Sequence, residues 1–110
     1  MKPQKRNFKV KPKKRLVVYD KLKFDSRNDE ARHTKWRGDN GVYLVKTAEV
    51  RGPHSPVAQV FLNRVYMTGL FRTKEPGTFS ADLKDEFTGN RRYLVFKKES
   101  ETELAIYEKV

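Results

Sequence analysis

Apolar positions recur along this chain with two different periods. Leu16 to Tyr19 and Leu22 to Phe24 are rich in β-branched and aromatic residues and predict strand. Asp25 to Asn40 is polar, with Ala31 and Trp36 its only apolar residues, and reads as a long loop holding at most a turn of helix. Asn40-Gly41 marks a turn. Val42 to Val50 then reads as strand, with Val42 and Leu44 on one face and Tyr43 and Val45 on the other. After Arg51-Gly52-Pro53 the period changes. Ala58, Phe61, Leu62, Val65 and Tyr66 fall at i, i+3, i+4, i+7 and i+8, one continuous helical stripe. Ser55 suits an N-cap, Pro56 the first helical position and Gly69 a left-handed stop. The spacing predicts a helix from Pro56 to Thr68, although Val57, Val60 and Val65 are mediocre helix formers.

Two hairpins are expected towards the C-terminus. Leu70 to Thr73 and Thr78 to Leu83 flank Glu75-Pro76-Gly77-Thr78, where proline followed by glycine signals a type II turn. A polar link from Asp82 to Asn90 leads to the second pair, Arg92 to Lys97 and Glu103 to Lys109. Tyr93 and Val95 point one way there, and Leu94 and Phe96 the other. The element order predicts an α+β fold: an antiparallel sheet of five to six strands, with two C-terminal hairpins and one principal helix.

Charge changes this picture at one end. The chain has 110 residues and a formal net charge of +11. Eight of the cations are Lys2, Lys5, Arg6, Lys9, Lys11, Lys13, Lys14 and Arg15, and residues 1–15 contain no acid. The segment has little to bury, so a disordered basic arm over residues 1–15 is expected before a single domain over residues 16–110. Such an arm is an electrostatic footprint for nucleic acid, because each cation that meets a phosphate releases a condensed counterion. A plain solubilising tail, an acidic protein and an anionic lipid are the alternatives. Lipid is disfavoured because the arm lacks the apolar face of a membrane helix.

Composition excludes several classes. The chain has no cysteine, hence no disulfide scaffold, thiolate zinc site or cysteine nucleophile. Its apolar runs are too short for a membrane span or a signal peptide, so an intracellular, cytoplasmic protein is expected. His33 and His54 lie far apart and have no short-spaced partner, so no metal site is expected. The acidic groups Asp25, Asp29 and Glu30, and Asp82, Asp85 and Glu86, could in principle hold magnesium as oxygen ligands. Loop solvation or helix starts more often explain such clusters. No Gly-rich phosphate loop, G-x-S-x-G or H-E-x-x-H is present, and no cofactor is expected. Arg37-Gly38-Asp39 spells an adhesion tripeptide that carries no weight alone.

Two clusters combine cations with aromatics. Lys35-Trp36-Arg37 sits in the most polar stretch. Trp36 either offers a stacking face to a base, flanked by cations for its phosphates, or pins the loop to the core. Arg91-Arg92-Tyr93 and Lys97-Lys98 bracket a strand in a similar way. Together these features predict a small non-enzymatic nucleic-acid-binding accessory protein that favours single-stranded DNA or RNA. The alternatives are a protein-binding module or inhibitor whose arm engages an acidic partner, and a small metal-independent ribonuclease of the toxin kind using Arg91, Arg92 and Tyr93.

Overall fold

Side chains that alternate between two faces shape the chain from Leu16 onward. The computed structural model describes residues 15–85 and 87–110. Eight strands run through them in sequence order: β1 Leu16–Asn28, β2 His33–Gly38, β3 Gly41–Thr47, β4 Ala58–Leu62, β5 Val65–Arg72, β6 Thr78–Lys84, β7 Arg91–Lys98 and β8 Glu103–Lys109. Each pairs antiparallel with the next, and β8 closes on β1 from Leu16↔Lys109 to Lys23↔Glu103. The result is a closed up-and-down barrel without a free sheet edge. The expected α+β fold is therefore corrected to all-β, with no helix among the described residues.

The correction centres on residues 56–68. Ala58, Val60 and Leu62 point inward while Gln59 and Phe61 point outward, the period of a strand. Asn63 and Arg64 both take positive φ, 50° and 73°. Two such residues form the turn whose twist matches that of its flanking strands. The turn is tied down at Asn63, whose N–H donates to the Val42 carbonyl at 2.8 Å. Asn63 Oδ1 accepts from Val42 N–H at 3.0 Å, and Nδ2 donates to the Asn40 carbonyl at 3.3 Å. The β-branched Val57, Val60 and Val65 favour strand, and the stripe at helical spacing combined residues from two barrel faces.

The polar stretch from Asp25 to Asn40 is likewise not a loop. It holds the end of β1 and the whole of β2, where Thr34 and Trp36 face inward and His33, Lys35 and Arg37 face outward. A narrow barrel needs few apolar residues per strand, because only alternate positions reach its interior. Every strand contributes to that interior: Leu22, Trp36, Tyr43, Val60, Leu70, Ala81, Leu94 with Phe96, and Ile106. Fully burying a side chain of this size stabilises by about 1.5–3 kcal/mol. The hairpin turn at Gly77 is as expected, with φ at 76° and Thr78 N–H donating to the Glu75 carbonyl at 3.1 Å.

Candidate nucleic-acid interface

One buried carboxylate fixes the loop that positions β2 and β3. Asp20 lies in the barrel wall at 3% exposure. Its Oδ1 accepts from the Lys21 and Asp39 amides, both at 2.9 Å. Its Oδ2 accepts from the Asn40 amide at 3.0 Å and the Tyr43 hydroxyl at 2.8 Å. Burial pushes the Tyr43 phenol well above its ordinary value. The Asp20 hydrogen bond and charge act in the same direction, and the bond from Asn40 opposes them. Gly38 is required at the same place, since a Cβ there would overlap Leu22 Cδ2 and Asp20 Oδ2. The turn between β2 and β3 is thus held rigidly, and with it the outward side chains of both strands.

Among the described residues, the predicted site residues do not converge on one place. Trp36 belongs to the core at 7% exposure. It packs edge-to-face on Phe24 with centroids 5.4 Å apart, and its Nε1 donates to Thr34 Oγ1 at 2.8 Å. With its faces packed inside the barrel it has none to offer a base, so the stacking reading of Trp36 is corrected to the anchoring one. Its neighbours separate: Lys35 stays on the outer surface, while Arg37 pairs with Asp25 at 3.2 Å.

The second cluster is spread over two faces of β7. Arg91 pairs with Asp82. Arg92 makes a bidentate contact with Glu108 at 2.8 and 2.7 Å and lies 5.3 Å over the Tyr19 ring. That contact holds the Glu108 carboxyl below the usual carboxylate range and raises the Arg92 guanidinium. Tyr93 is exposed on the outer wall. Lys97 sits 5.8 Å over the Tyr107 ring, and Lys98 pairs with Glu101 at 3.4 Å. Lys2, Lys5, Arg6, Lys9, Lys11, Lys13 and Lys14 lie outside the described residues. Arg15 is the first described residue, and its amide and carbonyl pair with those of Val110 at 3.1 and 2.9 Å, continuing the β1–β8 ladder.

A different set of residues is brought together by β2 to β5. These four adjacent strands carry Lys35, Arg37, Lys46 and Arg72 and not one Asp or Glu. The acids that lie within strands, Asp20, Asp25, Asp82, Glu103 and Glu108, are all on β1, β6 and β8. Register places Ser26, Lys35, Leu44, Phe61 and Tyr66 in one continuous outward row across five strands. Phe61 and Tyr66 meet edge-to-face at 5.7 Å. Lys46 stands two residues from Leu44 on the same face, and Arg64 sits in the turn beside Tyr66. Among the described residues, Lys35, Lys46 and Arg64 have no carboxylate within ion-pairing distance. An open depression of about 450 Å³ lies between Lys35 and Arg64, lined also by His33, Val42, Leu44 and Asn63.

Sequence reasoning passed over Lys46, Phe61, Arg64 and Tyr66. The helix reading put both aromatics in the core. The available signal was charge: residues 33–72 hold six Lys/Arg against Asp39 and Glu49 alone. No group of three or more His, Cys, Asp or Glu among the described residues is placed to hold a metal ion. Comparison with protein-family models, curated proteins and solved structures finds no match.

Proposed function

We propose that this protein is a non-enzymatic nucleic-acid-binding barrel, with single-stranded DNA or RNA as its favoured ligand. The observation that supports this reading is the segregation of charge on the barrel wall. Four neighbouring strands present cations interleaved with apolar and aromatic side chains, and the strand carboxylates lie elsewhere. A cationic surface of this kind attracts phosphates from any sequence. The basic segment before β1 adds eight further charges to the same electrostatic term.

The ribonuclease alternative is less favoured, because two of its three proposed residues, Arg91 and Arg92, are already paired. Arg91 and Arg92 are each engaged by a carboxylate, which competes with a substrate phosphate for the same donors. Fluorescence anisotropy tests the reading, using the full chain against a single-stranded DNA, a single-stranded RNA and a duplex at several salt concentrations. Binding whose log Kd rises linearly with log salt is expected. No binding to any of the three at low salt would overturn the function and leave the protein-binding alternative in its place.

A further inference from the structure

The proposed function leaves open where a base would go, now that Trp36 is buried. We infer that Tyr66, braced by Phe61, is the stacking platform of a single-strand site on the outer wall of β2 to β5, with Lys35, Lys46 and Arg64 taking the phosphates. This inference rests on the nucleic-acid reading and adds to it the ligand's form and the residues that select it.

Three features of the wall support the assignment. Tyr66, the second residue of β5 and paired with Phe61 across the hairpin, is a large ring left 56% exposed. Phe61 meets it edge-to-face at 5.7 Å and is half-buried against the wall. The pair therefore holds the tyrosine ring in place without covering it, and a ring already fixed loses little entropy when a base stacks on it. The second feature is the row itself. Adjacent strands are about 4.8 Å apart, so Lys35 on β2 and Tyr66 on β5 are separated by roughly 14 Å across Leu44 and Phe61. A stacked strand advances about 3.4 Å per nucleotide, so this span matches a short run of nucleotides. The third is charge. Lys35 stands at one end of the row and Lys46 beside its middle, Arg64 shares a depression with Lys35 and Leu44, and no acid lies on the four strands.

The occupant follows from the shape of the surface. A ring on the convex outside of a closed barrel reaches the face of a base only when that base is unstacked. A duplex hides those faces and offers the wall its phosphates alone. The same surface offered to a protein partner would be expected to meet aromatic anchors with some acids of its own at the rim. The four strands carry cations and no acid, which fits a polyanion.

The test measures affinities of the full chain for oligo(dT), oligo(rU) and a DNA duplex of equal length. Tyr66→Ala is compared with Tyr66→Leu, which keeps apolar cover over Phe61, and with Tyr66→Trp. Tyr66→Ala and Tyr66→Leu should weaken binding to both single strands by roughly 5- to 150-fold. Duplex affinity and salt slope should stay unchanged, and Tyr66→Trp should retain binding. A loss on oligo(dT) alone or oligo(rU) alone would support the site and assign it to DNA or RNA. If wild type binds all three ligands and the Tyr66 variants bind single strands equally well, the platform is overturned while the nucleic-acid reading stands. An equal loss on single strand and duplex would also overturn it, as would no binding by wild type, which removes both readings.

Discussion

At the scale of single residues, Asp20, the one buried acid among the described residues, decides more than the cations do. Asp20 collects four donors and thereby ties down the β2–β3 turn, between the two strands whose alternation turns Lys35 and Lys46 outward. Tyr43 supplies the hydroxyl that closes this group. Because burial raises its phenol above the ordinary value, its contribution to stability is fully present below about pH 10 and declines as the pH rises further. The unfolded chain can ionise its phenol there and the folded chain cannot. Tyr43→Phe should therefore cost about 1–2 kcal/mol at neutral pH, for the lost hydrogen bond to Asp20 and the longer one from Asn40. The gap to wild type should narrow in denaturant titrations above pH 10. A gap that stays constant from pH 7 to 11 would mean that the hydroxyl is not held neutral by the fold. Trp36 teaches the same lesson about context. Its polar neighbours are outward residues of a strand, and the alternation His33, Thr34, Lys35, Trp36, Arg37 puts the ring inside.

At the scale of elements, the hairpin of β4 and β5 separates the two ways of reading residues 56–68. A helix buries Phe61 and Leu62 together and turns Asn63 to solvent. The hairpin puts Leu62 inside and Phe61 outside, and makes Asn63 the tether of its turn. Asn63→Ala should then destabilise by about 1–2 kcal/mol, from lost side-chain bonds and a positive φ that alanine resists. Leu62→Ala should cost roughly 2 kcal/mol or more, and Phe61→Ala less than Leu62→Ala. Chemical denaturation gives all three. A neutral Asn63→Ala with equal costs at Phe61 and Leu62 would restore the helical stripe.

The hairpins at Pro76-Gly77 and at β7–β8 were legible because turn chemistry or both-sided apolar strands mark them locally. The β4–β5 turn was not, since Asn63-Arg64 lacks the glycine that usually announces positive φ. Ring closure by β1 and β8 was not legible either. It depends on pairing between the two ends of the domain, and no local pattern encodes that. The candidate site shared this fate. Its outward row is assembled from residues 26 to 66 by register, so its members are strangers in sequence.

At the scale of the whole molecule, charge is sorted twice. Residues 1–15 carry +8 of the net +11, and the remaining +3 is itself uneven. Residues 33–72 hold six Lys/Arg and two Asp/Glu, a net of +4, so the rest of the 16–110 stretch comes to −1 with 11 cations and 12 acids. All of the domain's excess positive charge therefore lies on the half of the barrel built from β2 to β5. Such a field orients an approaching polyanion towards one wall, and salt should screen it over roughly 8–10 Å near physiological ionic strength. The most direct measurement is an amide chemical-shift map of the labelled full chain titrated with oligo(dT) or oligo(rU) at low salt. Perturbations should cluster on the outward positions of residues 33–47 and 59–66, leaving β6 and β8 quiet. Shifts confined to β6, β7 and β8, with β2 to β5 unmoved, would contradict the assignment of this wall as the nucleic-acid surface.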